Sequence, residues 1–204
     1  MGLARRRPAR APAAPTVAVL HSVLLPGIVD AWPEDRRRRV LDLGPASGTT
    51  LDTLATGPLR LCFRDVLAEL AEAVAAAERD EAGDPAAAVA DLLEDRGEYD
   101  LILAWELFSH LPPAAVTAAG AVLARCLARD GVLHALVSTG PPVSRPPAAY
   151  ALPAPGCLRR RAGPDPVPAR VYHQHRLRGL LPDLAIERAV LLRDGMQELL
   201  LVRR

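Results

Sequence analysis

The stretch that decides the fold is "RRVLDLGPASGTTLDTLA", residues 38–55. The apolar run Val40–Leu43, with Asp42 inside it, reads as a strand. Gly44-Pro45-Ala46-Ser47-Gly48 reads as a tight turn, and Thr49–Ala55 as the opening of a helix. Gly44 and Gly48 let the backbone bend sharply and let a ligand approach with no Cβ in the way. The free amides of a helix starting near Ser47–Thr50 favour an anionic group such as a carboxylate. A dinucleotide turn would read Gly-x-Gly-x-x-Gly. Counted from Gly44, positions 46 and 49 are Ala and Thr, so two of the three glycines are missing. A pyrophosphate needs close backbone contact there, which disfavours NAD(P) and a dehydrogenase.

The chain has 204 residues, enough for one domain with a sizeable core. The formal net charge of +1 gives no global push toward nucleic acid or an anionic membrane. Aromatic residues make up 3%, too few for a surface of base-stacking platforms. There is no Lys, so a Walker A loop and Schiff-base chemistry are excluded. There is no Asn, so N-glycosylation sites are excluded too. Cys62, Cys126 and Cys157 are odd in number and never at Cys-x-x-Cys spacing. That argues against a disulfide framework or a zinc site and fits a reducing cytoplasm. His173 and His175 either share a strand face as metal ligands or are polar residues entering a helix. The second reading is preferred, and no metal is expected.

The first ten residues hold four Arg, and Pro and Ala dominate up to Pro15, so 1–15 is expected to be a disordered tail. The apolar run Thr16–Leu25 behind it resembles a signal peptide. However, Asp30 and Trp32 stand where a cleavage site belongs. His21, Pro26 and Gly27 interrupt the run too early for a membrane span. A short helix broken near Pro26-Gly27 is expected over 16–32. The charge run Arg36–Arg39 reads as a solvated approach to the first strand.

Further along, 59–66 reads as a second strand and 67–80 as a strong helix. Asp84 is an expected N-cap with Pro85 at the first helical position. The buried run Tyr99–Trp105 reads as a strand, and Pro112-Pro113 starts a helix to about residue 128. A turn at Asp130-Gly131 leads into a strand over 132–138. Residues 140–170 are Pro-rich without a clear period, as lids and binding loops are. A short helix near "HQHRLRGLL" and a closing strand pair around Asp194-Gly195 complete the chain. Alternating strands and helices imply an α/β, doubly wound, mostly parallel sheet. Ligands then bind beyond the C-terminal strand ends, where strand order reverses. This puts the Asp42–Gly48 turn, Asp65 and the Trp105–His110 loop along one edge.

The pattern Asp-x-Gly-x-Ala-x-Gly resembles motif I of the class I S-adenosylmethionine (SAM) dependent methyltransferases, Asp/Glu-x-Gly-x-Gly-x-Gly, with Ala46 replacing the central glycine. Asp65 follows Asp42 by 23 positions, where the family's acidic residue accepts hydrogen bonds from the ribose hydroxyls. "YDLILAWELFSHLPP" is similar to the family's fourth strand and loop, and "LARDGVLHALVS" to its fifth strand, over roughly residues 35 to 204. The resemblance implies a Rossmann-like seven-stranded sheet with an antiparallel C-terminal strand. Its third strand is short or absent, because 80–98 looks helical. The expected domain spans 16–204, with 140–170 as a substrate lid.

The resemblance further implies SAM as cofactor, held by Asp42, Gly44, Ala46, Gly48, Asp65, Trp105 and Glu106. Asp42 either reaches the amino-acid end of SAM or only bonds local amides. His110 and Glu106 are the candidate catalytic residues: His110 as a general base or a structural group, Glu106 as a contact to the SAM ammonium or the acceptor. Trp105 is either packing or a substrate platform. Tyr150 and Arg159-Arg160-Arg161 lie on the expected lid, where an Arg cluster suits a carboxylate or phosphate. The implied activity is methyl transfer to a small-molecule acceptor, an anionic one if the Arg cluster contacts it. The alternatives are a catalytically inactive methyltransferase-like binding protein and, less favoured, an NAD(P)-dependent oxidoreductase. No nucleic-acid or membrane partner is expected, because Pro112-Pro113 lacks the flanking residues of nucleic-acid methylases. Oligomeric state is left open.

Overall fold

Seven buried residues in a row, Tyr99–Trp105, form the centre of the sheet, and such a run needs cover on both faces. The computed structural model describes residues 17–33, 35–79, 83–94, 97–140, 144–145, 147–163, 167–192 and 195–204. The expected tail at 1–15 and the turn residue Asp194 lie outside the described residues. In chain order the elements are β1 (Val17–His21), α1 (Leu25–Asp30), β2 (Arg38–Asp42), α2 (Gly48–Leu54), β3 (Leu59–Phe63), α3 (Leu67–Arg79) and α4 (Pro85–Leu93). Then come β4 (Tyr99–Trp105), α5 (Leu107–His110), α6 (Pro113–Cys126), β5 (Leu127–Ser138), β6 (Ser144–Arg145), β7 (Ala148–Ala154) and β8 (Cys157–Ala162). The last are β9 (Val167–Pro168), α7 (Gln174–Leu180), β10 (Leu184–Leu191) and β11 (Met196–Arg203).

The main sheet has the order β10-β11-β5-β4-β2-β3. Strands β3, β2, β4 and β5 run parallel, and β11 runs antiparallel to both β5 and β10. The chain leaves β2 for β3 on one side and returns to β4 on the other, so strand order reverses between β2 and β4. Among the described residues no strand lies beyond β3, so the third strand of the seven-stranded expectation is absent and the sheet has six. Helix α4 lies in that stretch of chain, after α3. Asp84 caps α4 by accepting from Ala86 N at 2.8 Å, as its position before Pro85 predicts. Arg64 donates to the carbonyls of Leu92 at 2.8 Å and Glu94 at 3.2 Å, at the other end of α4.

Alternation along the strands divides the core in two. Leu41, Ile102, Ala104, Leu133, Ala135 and Val137 face a cluster built with α3, α4, α6 and α7. Val40, Leu101, Leu103, Trp105 and Leu136 face the opposite way, onto Leu20, Leu25, Leu54, Tyr150, Leu152 and Leu158. The second face is thus covered by α1, α2 and a three-stranded antiparallel sheet, β1-β8-β7. Leu101 and Leu103 are wholly buried. Truncating either to Ala costs about 2–5 kcal/mol.

Several expectations are corrected here. Residues 17–21 are a strand, and the helix begins at Leu25 with Pro26 in its first turn, where a missing N–H costs nothing. Pro26-Gly27 therefore starts the helix and does not break it. Strand β3 ends at Phe63, two residues before Asp65. The Asp130-Gly131 turn is a register break inside β5: Tyr99 pairs with Leu127 and Leu101 with Val132. The Pro-rich region 140–170 holds the β7–β8 hairpin, together with the two-residue pair β6–β9. Leu152 donates to Thr50 Oγ1 at 3.0 Å and accepts from Thr53 Oγ1 at 2.6 Å, so α2 satisfies the outer backbone groups of β7.

Candidate active site

The turn after β2 is built by short-range bonds. Asp42 Oδ1 accepts from Gly44 N at 2.9 Å, closing the bend, and from Trp105 Nε1 at 2.5 Å, tying the ends of β2 and β4 together. Ser47 caps α2 by accepting from Thr50 N at 3.3 Å. Asp42, Gly44 and Thr50 are buried, whereas Ala46, Gly48 and Thr49 are exposed. The turn therefore has a covered half and an open half. A Cβ at Gly44 would sit 3.0 Å from Trp105 Nε1 and 3.2 Å from Asp42 Oδ1, while one at Gly48 meets nothing within 4 Å.

Trp105 has φ 46°, unusual for a bulky residue, and its indole is 2% exposed. It stacks on Tyr150 of β7 with ring centroids 4.9 Å apart and an interplanar angle of 6°. The Tyr150 hydroxyl donates to Glu106 Oε1. Arg160 of β8 donates to Glu106 from Nε at 2.8 Å and from Nη2 at 3.3 Å. His110 Nε2 lies 3.6 Å from Glu106 Oε2, one helical turn on. Burial alone would raise the Glu106 carboxyl. The neighbouring His110, Arg160 and Tyr150 overcome it and hold the group at about 2. Asp42 goes the other way. Burial raises it to about 6, against hydrogen bonds from Trp105 and Gly44, and the charge of Asp65 adds to the rise. Burial, with Glu106 beside it, also raises the Tyr150 hydroxyl.

The structure therefore brings together Asp42, Gly44, Trp105, Glu106 and His110, and leaves Ala46, Gly48 and Asp65 on the open side of the same edge. Of the Arg trio only Arg160 turns inward; Arg159 and Arg161 are exposed. The Arg36–Arg39 run is at the opposite end of β2. It is not simply solvated, because Arg36 and Arg38 pair with Asp100 and Arg39 lies 5.5 Å from the Tyr99 ring centroid. His173 and His175 are exposed where the chain enters α7.

A second polar cluster escaped the sequence reading. Glu198 Oε1 accepts from Ser22 Oγ and meets His134 Nε2 at 2.7 Å; its Oε2 accepts from Val23 N at 2.7 Å and Leu24 N at 3.2 Å. These contacts, the His134 one foremost, lower the Glu198 carboxyl despite burial. The available signal was one His in "VLHALVS" and one Glu in "QELLLV", single polar residues in apolar strands.

Two features of the edge fit a cofactor. Asp42 Oδ2 is buried with no hydrogen-bond partner among the described residues, and the Gly48 side of the turn is open. The space beside Gly44 is taken by Trp105. The residues suit the group, in a closed arrangement.

A family model described as a methyltransferase domain matches residues 19–175, and the chain belongs to that family. No curated protein matches the chain. Among solved structures, it is similar to a Pyrococcus horikoshii protein, PH0226, with 12% identity, TM-score 0.52 and coverage of 88% of this chain and 87% of the other. A TehB-like SAM-dependent methyltransferase from Corynebacterium glutamicum gives 16%, 0.51, 88% and 86%. Magnesium protoporphyrin IX methyltransferase from Synechocystis, with bound SAM, gives 14%, 0.52, 89% and 76%. At these identities the likeness shows the fold: α/β, Rossmann-like, with antiparallel C-terminal strands. Family and fold agree with SAM as the cofactor. No helix among the described residues is long and apolar enough to cross a membrane.

Proposed function

We propose that the protein transfers a methyl group from SAM to a small-molecule acceptor at the edge formed by the Asp42 turn and the Trp105–His110 segment. The observation that carries this reading is the meeting, where strand order reverses, of a glycine turn, an exposed Asp65 and a buried Asp42 oxygen lacking a donor. SAM supplies an electrophilic methyl on a sulfonium. Asp65 would hold ribose hydroxyls, and Gly48, with the small Ala46, would let the ligand approach the backbone of the turn. Asp42 and Glu106 would hold the cationic amino-acid end.

His110 is the group suited to take an acceptor proton. Both its ring nitrogens are buried without a hydrogen-bond partner among the described residues, and Nε2 lies 3.6 Å from Glu106 Oε2. The β7–β8 hairpin covers this edge, which suits a small acceptor in preference to a polymer. The Synechocystis neighbour is itself named for a small acceptor, magnesium protoporphyrin IX. Arg160 suits an anionic group on the acceptor once it leaves Glu106. Cys62, Cys126 and Cys157 form no disulfide, which fits a cytoplasmic setting.

The test is to incubate the protein with methyl-labelled SAM and a broad metabolite extract, alongside a His110→Ala variant. Label is expected in a small-molecule fraction, reduced roughly 100-fold or more by the substitution. Binding of SAM with no transfer to any fraction would instead establish the inactive binding protein. Tight NAD(P) binding would establish the oxidoreductase.

A further inference from the structure

Every side chain on the covered half of this edge is shut away from water: Asp42 is 0% exposed, Trp105 2%, Glu106 2%, His110 4% and Tyr150 2%. The cover is the β7–β8 hairpin; Leu152 ties it to Thr50 and Thr53 of α2 and Leu158 is wholly buried, so only the grip of its polar side chains on Glu106 and Trp105 is local. Tyr150 stacks on Trp105, and Tyr150 and Arg160 are the two hairpin residues that hydrogen-bond Glu106. Beneath the cover, Asp42 Oδ2 and both His110 nitrogens have no partner among the described residues. A buried polar group without a partner is costly, so the closed form carries a penalty that a ligand with N–H donors relieves.

We infer that Tyr150 and Arg160 form a side-chain latch on a fixed hairpin, in which Arg160 occupies Glu106 as an internal stand-in for the cationic group of the ligand. The inference rests on the reading of this edge as the SAM site. One carboxylate cannot hold the Arg160 fork and a ligand ammonium in the same place, so the ligand and the latch compete. Turning these two side chains away parts Tyr150 from Trp105, frees the indole from its place over Gly44, and returns Arg160, whose side chain is already 17% exposed, to water. The hairpin backbone stays in place, because β8 pairs with β1 from Val17↔Arg161 to His21↔Cys157, Arg160 included. The site is thereby kept dry until a cation arrives, and the measured affinity is reduced by the fraction of molecules that are open.

The chain holds two Trp, so Trp32→Phe leaves Trp105 as sole reporter. In that background, Arg160→Met and the milder Tyr150→Phe are compared with the parent for acrylamide quenching of Trp105 and for S-adenosylhomocysteine binding by calorimetry. With the latch weakened, quenching is expected to rise several-fold without ligand. Affinity is expected to tighten by about tenfold for Arg160→Met and less for Tyr150→Phe. Unchanged quenching in both folded variants overturns the latch, as does weaker binding in Arg160→Met, which would make Arg160 a ligand contact. Raised quenching with no binding in any variant supports the latch and removes SAM as its ligand.

Discussion

Glu106 and Glu198 lie on the same covered side of one sheet, both buried and both multiply hydrogen-bonded, yet they are held differently. Glu198 accepts from two backbone amides, Val23 and Leu24, as well as from Ser22 and His134, with Glu198 and His134 both wholly buried. Its partners belong to the strand-to-helix connection 22–25 and to β5, and they cannot leave without unfolding. Glu106 is held by side chains alone: Tyr150 and Arg160 from a hairpin, and His110 beside it. Arg160 reaches solvent, so this set can be exchanged for a ligand. The same chemical group thus serves as an anchor where backbone donors fix it and as a latch where flexible donors do.

The largest expected effect lies at the anchor. Glu198→Ala strips partners from two amides and from His134 and should cost about 3–5 kcal/mol. Urea denaturation checks this, and a loss under about 1 kcal/mol would erase the distinction between the two glutamates.

Acidity separates the groups next. Glu106 is depressed to about 2 when folded, so its contribution is present above its ordinary value of 4.5 and is lost as pH falls from there toward 2. The loss is about 3 kcal/mol at most. Asp42 is raised to about 6, so its contribution is present below 3.8 and is lost as pH rises through 6. Stability should therefore rise as pH falls from 7 to about 4.5 and drop below about 4, where the loss at Glu106 outweighs the gain at Asp42. Unfolding measured across this range should lose the upper limb in Asp42→Asn and weaken the lower limb in Glu106→Gln.

The glycines give a smaller contrast. Gly44→Ala drives a methyl against Trp105 and Asp42 and should cost about 1–3 kcal/mol. Gly48→Ala meets open space at a helix start and should change stability by no more than about 0.5 kcal/mol. Paired thermal melts decide this, and equal shifts would mean that Trp105 does not cover Gly44. Asp65→Ala, at an exposed position, should leave the melting temperature in place and weaken SAM binding roughly 10- to 100-fold.

The strand–turn–helix around Asp42 was legible because its signals are local: an apolar run, two glycines, a capping Ser47 and a renewed period. Asp84 before Pro85 was legible for the same reason. The cover was not. Strand β1 looked helical because Val17–His21 gains its pairing only from Arg161–Cys157, some 140 residues later in the chain. The hairpin hides in a Pro-rich stretch without alternation, its outer backbone satisfied by Thr50 and Thr53 from α2. Candidate residues were found by their place after strands. That Trp105 reaches back to Asp42, and that Arg160 alone of three turns inward, are facts of tertiary packing that no spacing encodes.

The most direct measurement is a calorimetric titration of S-adenosylhomocysteine into the wild-type chain, Arg160→Met and Asp65→Ala. The account predicts binding to the wild type, tighter binding to Arg160→Met and weaker binding to Asp65→Ala. No binding to either the wild type or Arg160→Met up to about millimolar ligand, an affinity near −4 kcal/mol, would contradict it.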